Sequence, residues 1–153
     1  MIALYIAMIA VFVSYVTFIW TKYGVQESIS ASYYKLPDNE KALFTLFCWG
    51  FAIPAMILGS CGLMFFAGAA ICFVGAAAAF RGDKMTHAVH MISAGLGVAL
   101  SQAAMAFVFG FWFIPVIFFA ISGFIYASEV ENDIWWIEIF AFLSVCIGLG
   151  LIL

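Results

Sequence analysis

Asp83, His87 and His90 are spaced four and three residues apart, which sets them on one face of a helix. Two histidines at i and i+3 beside a carboxylate make a partial zinc set, and a zinc site needs at least three protein ligands. Asp83, His87 and His90 are therefore the candidate metal ligands of the chain, with zinc the metal they would suit. Glu138 is the last charged residue, about one helical turn (roughly 6 Å) inside the last apolar stretch. His90 and Glu138 together could act as a general acid–base pair. A segment rich in hydroxyls and rings, including Ser28, Ser30, Tyr33 and Tyr34, arrives at the same end of the chain's layout and could cover these groups. Three uses of this polar rim follow. It could satisfy helix ends as a structural network, with His87 at the waterline. It could recognise a lipid headgroup or a small polar ligand. It could do hydrolytic chemistry, although two histidines underprovide a metallohydrolase.

The elements that must position these residues are set by charge. Every Asp, Glu, Lys and Arg falls within Lys22–Lys41, Arg81–Lys84 or Glu129–Glu138. The uncharged stretches between them are Met1–Thr21, Ala42–Phe80, Met85–Ser128 and Ile139–Leu153. One crossing of a bilayer core takes about 20 helical residues. The first stretch is one crossing long, the second and third are each two, and the fourth completes one if it begins near Ile134. The expectation is an all-α integral membrane protein: a six-transmembrane-helix bundle with short loops and one longer first loop. Its spans are about 1–20, 43–58, 63–80, 85–106, 110–127 and 134–153, within one membrane domain over 1–153. All charges then gather at one membrane face.

Composition agrees. The chain is 68% hydrophobic and 8% charged, against about 25% charged in soluble domains. The net charge of −3 and the lack of a basic stripe argue against nucleic acid. The N-terminal stretch lacks a basic start and a small-residue cleavage site, so it reads as a retained first helix, not a signal peptide. Cys48, Cys61, Cys72 and Cys146 lie in apolar spans without metal-site spacing and read as small buried residues.

Local signals refine the spans. Pro37 with Asp38 and Glu40 reads as the start of span two. Pro54 and Pro115 read as kinks. Gly59–Gly62 and the region of Gly110 read as turns. Trp20, Trp135 and Trp136 suit the interface, and Phe107, Phe109, Phe111, Trp112 and Phe113 form an aromatic belt at the charge-free end. Gly68, Cys72 and Ala76, Gly75 and Ala79, and Ser93, Gly97 and Ser101 make small-residue stripes for close helix contact, inside the bundle or in a homo-oligomer. Gln102 beside them suits a hydrogen bond across a helix contact.

Ser28-Ile29-Ser30 after span one, Leu43-Phe44 at the entry to span two, and Val89-His90 followed by Ser93-Ala94 form an ordered set. With this set the chain resembles the DRAM-like six-span membrane proteins (damage-regulated autophagy modulators) and their uncharacterised bacterial relatives. The resemblance implies a six-helix bundle with a polar site at one face and no established enzyme activity. That family commonly follows Ile-Ser with Asp, where Ala31 stands here. A second likeness, to seven-span ceramidase-type hydrolases, lacks their additional histidines. Orientation divides the two lines of argument. The five Lys and Arg make the charged face cytoplasmic under the positive-inside bias, with both termini outside, and that is the reading preferred here. The DRAM-like resemblance implies the reverse.

The expected function is binding of a lipid headgroup, small polar ligand or partner at the polar rim, in a bacterial inner membrane. Membrane lipids are the expected partners, a homo-oligomer is a second, and no cofactor is required. A membrane-embedded hydrolase on His87, His90 and Glu138 is one alternative. A small channel, transporter or pore-forming effector is the other.

Overall fold

The computed structural model describes the backbone of residues 1–79 and 84–153 and the side chains of residues 1–76 and 88–153. Its six principal helices are α1 (Ile2–Tyr23), α2 (Ala42–Gly59), α3 (Gly62–Ala79), α4 (Lys84–Ala103), α5 (Phe113–Ala127) and α6 (Asp133–Leu151). A short 3-10 turn covers Ser30–Tyr34, and α4 ends in a wider π turn over Ala104–Val108. The described residues contain no strand. Among the described residues, four helical segments are long and apolar enough to cross a membrane: Ile2–Tyr23, Ala42–Gly59, Ala88–Val108 and Asp133–Leu151. Gly62–Ala76, the part of α3 whose side chains are described, and Phe113–Ala127 are apolar and shorter.

The ends of these helices follow from local chemistry. α1 stops at Gly24, whose φ of 77° suits a residue without a Cβ and whose N–H reaches the carbonyl of Trp20. Pro37 does not itself begin α2. Its carbonyl accepts the amides of Glu40 and Lys41 in a separate turn, and the α-helix begins at Ala42. α2 then continues through Pro54 without interruption in its helical assignment. Gly110, at φ 75°, turns the chain between the π segment and α5. Pro115 does not sit mid-helix as the sequence suggests. It is the third residue of α5, where an amide has no intrahelical acceptor, so its missing N–H costs nothing.

Small residues decide which helices approach. α2 packs most extensively on α3, and α3 on α4. A Cβ added at Gly75 would stand 2.7 Å from the Cβ of Cys48 and 3.4 Å from the Cα of Thr45. One added at Gly97 would press on the Ile71 side chain. The expected stripes at Gly68, Gly75 and Gly97 are thus filled by contacts inside this chain. Thr45 Oγ1 donates to the Gly75 carbonyl at 2.9 Å and Trp49 Nε1 to the Cys72 carbonyl at 3.0 Å.

α6 touches α1, α2, α4 and α5. Phe142 on α6 stacks on Phe12 (5.3 Å between centroids) and meets Phe51 edge-on (4.7 Å). Deeper in the chain, Gln102 Nε2 donates to Ser144 Oγ at 2.6 Å, the cross-helix bond expected of Gln102. Trp135 departs from its expected interfacial place: it is fully buried, while Trp136 meets Trp20 edge-on at 6.1 Å. Helix rotation, which hydropathy alone does not fix, turns Trp135 inward.

Candidate functional site

The first loop, between α1 and α2, folds inward instead of trailing in solvent. Ile29, Ser32, Tyr33 and Leu36 are all buried. Apolar side chains at 29, 33 and 36, in the 3-10 turn and its flanks, pack against the helices. Leu36 and Tyr33 belong to the same core as Phe44 and Phe47 of α2. Tyr33 lies 5.9 Å from Phe44, ring to ring, and the Lys41 ammonium sits 5.6 Å from the Tyr33 ring centroid.

A hydrogen-bond chain fastens the turn at both sides of Ile29. The Ile29 N–H donates to the Glu138 carboxylate of α6. The Ile29 carbonyl accepts the Ser32 hydroxyl proton. A serine has one hydroxyl proton, so Ser32 Oγ must accept from its other partner, the Tyr15 hydroxyl of α1, at 2.7 Å. The relay therefore runs from Tyr15 through Ser32 and Ile29 to Glu138. It ties two helices far apart in sequence through two residues of the loop. Ser28 Oγ caps the turn by accepting the Ala31 amide at 2.9 Å, and lies 3.0 Å from Ser30 Oγ.

Beneath Ile29 and Ser30 is a partly open cavity of about 80 Å³ lined by α2, α3, α4 and α6. Its walls are mainly Phe, Ala, Ile, Val and Gly side chains, among them Phe44, Phe51, Ala67, Gly97 and Phe142. Small residues on α3 and α4 create the space, because Ala67, Gly68, Ala94 and Gly97 leave room that aromatic residues on α2 and α6 do not fill. Glu138 supplies the carboxyl group of the lining, Ser30 and Ser101 supply hydroxyls, and Cys48 supplies a thiol. The space admits several water-sized groups. A short alkyl segment fits such walls better than water does.

The predicted rim residues divide. Ser30 and Glu138 meet at the cavity, Ser28 braces Ser30, and Tyr33 is buried against Phe44. Tyr34 points away and is 73% exposed. His90 is half-buried on α4, one turn from Ala94 of the cavity wall. Asp83 and the side chain of His87, two of the three proposed metal ligands, lie outside the described residues. Among the described residues no three His, Cys, Asp or Glu groups converge. Sequence reasoning did not assign Tyr15 or Ser32 to the site, and it named Ile29 only within the Ser28-Ile29-Ser30 element. A tyrosine in the middle of an apolar stretch was the available signal, since a buried hydroxyl calls for a partner.

Outside the bundle core, Lys22 Nζ binds the Glu40 carboxylate at 2.8 and 2.9 Å, and the Tyr23 hydroxyl adds a bond at 3.2 Å. The Lys22 ammonium holds the Glu40 carboxyl below the usual carboxylate range. This link joins the end of α1 to the turn that leads into α2.

Ile29, Ser30, Phe44 and Ala94, which belong to the ordered set of short motifs in the sequence, all line the one cavity. Compared with protein-family models, curated proteins and solved structures, the chain matches none of them.

Proposed function

We propose that this chain is a six-span membrane protein that binds an amphiphile at its charged face, with the apolar part in the cavity and the polar part beside Glu138. Large apolar side chains stand outward along the helices, including Ile6, Ile53, Phe66, Phe73, Ile92, Phe119 and Ile147. Soluble monomers rarely leave apolar patches beyond a few hundred Å², so lipid is the fitting surround. α5, at 15 residues, is only about 22 Å long. The aromatic residues before it, Phe111 and Trp112, extend its apolar reach, and local thinning of the bilayer absorbs the remainder. The same reading gives the DRAM-like layout of six spans with one polar face, in a bacterial plasma membrane with the charged face cytoplasmic.

The observation that carries the binding reading is an apolar cavity that ends on a carboxyl group under a folded-in loop. A purely structural rim would have no reason to leave the space below Ile29 unfilled. The metal-dependent form of the hydrolase reading needs His87 and Asp83, which lie outside the described side chains. A channel needs a polar path, whereas Gln102 and Ser144 are bonded to each other.

Native mass spectrometry of the purified chain tests the proposal. One lipid-sized adduct per chain is expected, and Ala55→Leu, which fills the cavity from α2, should remove it while the helical circular dichroism is kept. Absence of any adduct, or an adduct indifferent to Ala55→Leu, contradicts the reading.

A further inference from the structure

The geometry points to a specific ligand class for this cavity: a single-chain amphiphile whose head donates hydrogen bonds, an amine or a hydroxyl, and not one whose head is an anionic phosphate. The inference rests on the reading of the cavity as a binding site and adds the chemistry of the occupant.

The polar groups that line the cavity are mostly acceptors. A carboxylate offers about four lone-pair positions. Glu138 accepts the Ile29 amide and the Ser30 amide. Among the described residues no further donor reaches it. Ser101 also lines the space, and its proton is committed to the Val98 carbonyl at 2.8 Å, so toward a guest its oxygen accepts. Among the described residues no Lys or Arg lines the cavity. A guest must bring the donors itself, and a cationic amine adds charge attraction to Glu138. A phosphate brings acceptors and negative charge to a carboxylate in surroundings that screen poorly, where like charges repel strongly.

The size of the space limits the other end of the guest. About 80 Å³ is smaller than the 150 Å³ apolar cavity that accepts benzene. It takes one alkyl segment and not two acyl chains. The walls there are Phe51, Ala52, Ala55 and Met64, with no polar side chain among them. The head stays at Glu138 and Ser30, and the loop segment Ile29–Ser30 closes over it. In this arrangement the loop is both the lid of the cavity and the partner that orients Glu138, because the Ile29 and Ser30 amides hold the carboxyl group at the cavity.

The test titrates the full-length chain in a short-chain nonionic detergent with decylamine, 1-decanol and decyl phosphate, read by native mass spectrometry. One decylamine or decanol per chain is expected, with decyl phosphate at least tenfold weaker. Glu138→Gln keeps an oxygen for the Ile29 amide and removes the charge. It should weaken decylamine at least fivefold and leave decanol within about twofold. Decyl phosphate binding as tightly as decylamine overturns the inference while the binding reading survives. So does an amine-to-phosphate ratio that Glu138→Gln leaves unchanged. If none of the three probes binds and no lipid co-purifies, the binding reading falls and takes the inference with it. The wild-type comparison of heads needs no variant, so a poorly folding Glu138→Gln does not rescue the claim.

Discussion

Replacing Glu138 by alanine should detach the first loop from α6. The Ile29 amide is donated to the Glu138 carboxylate, and Ile29 is almost fully buried. The substitution leaves that amide without its acceptor in a place water reaches poorly. An orphaned buried donor costs about 1–3 kcal/mol, which is roughly a 5- to 150-fold change in an opening equilibrium. The opening would be local, because the rest of the loop is held by Tyr15, Leu36 and the Lys22–Glu40 bond rather than by α6. Glu138→Gln retains an oxygen and should change opening by less than about tenfold, a neutral acceptor losing no more than ~1.5 kcal/mol relative to a charged one. Tyr15→Phe removes the donor to Ser32 but leaves Ser32 bonded to the Ile29 carbonyl, for about 0.5–1.5 kcal/mol. Backbone hydrogen exchange over 24–41, read by mass spectrometry in detergent, orders the three variants. Glu138→Ala should exchange fastest there, with α2 and α3 unchanged. If Glu138→Ala protects the loop as well as the wild type does, the relay from Tyr15 to Glu138 does not hold the lid, and the reasoning fails.

Gly75→Val and Gly95→Ala should move stability in opposite directions. A side chain at 75 meets Cys48 and Thr45, so overpacking of about 1–3 kcal/mol should lower the melting temperature. At 95 nothing lies within 4 Å, so the alanine should add about 0.5–1 kcal/mol from helix propensity. Gln102→Leu should be close to neutral by thermal unfolding, within about 1 kcal/mol, because Gln102 Oε1 already lacks a partner among the described residues and Ser144 keeps its bond to the Ala141 carbonyl. The Lys22–Glu40 link should depend on acid. Its carboxyl is lowered in the folded chain, so the contribution is present above the ordinary glutamate value near 4.3 and is lost as pH falls through the lower folded value. Exchange at the end of α1 should rise only in that acidic window, and Glu40→Gln should abolish the pH dependence.

Much of the fold was legible because charge is excluded from the long stretches. The six principal helices fall where the uncharged runs place them, and Gly24, Gly59, Ser60 and Gly110 mark the breaks. Pro115 was misread because the role of a proline depends on where its helix starts, and the π turn over Ala104–Val108 shifts that start to Phe113. Trp135 was misread because a tryptophan at the end of an apolar stretch suits an interface and a core equally until the helix is rotated into place. The site was legible in part. Glu138, Ser28 and Ser30 stand out as polar residues at the boundary of an apolar run. The cavity was not legible, since it arises where Ala67, Gly68, Ala94 and Gly97 of two helices face Phe47 and Phe142 of two others. No single stretch of sequence contains that mismatch of sizes. Ile29 was hidden for another reason: its contribution is a backbone amide, which side-chain patterns do not display.

Compartment-specific labelling tests the central claim, six crossings with every charged turn at one face, most directly. In a background with Cys48, Cys61, Cys72 and Cys146 replaced by alanine, single substitutions Lys35→Cys, Gly82→Cys, Glu131→Cys and Trp112→Cys are treated with a membrane-impermeant maleimide in right-side-out and inverted vesicles. The first three should react only from the cytoplasmic side, and Trp112→Cys only from the other. Reaction of Gly82→Cys from the side opposite Lys35→Cys, or of Trp112→Cys from the same side as Glu131→Cys, contradicts the six-span arrangement and the cavity placed beneath its charged face.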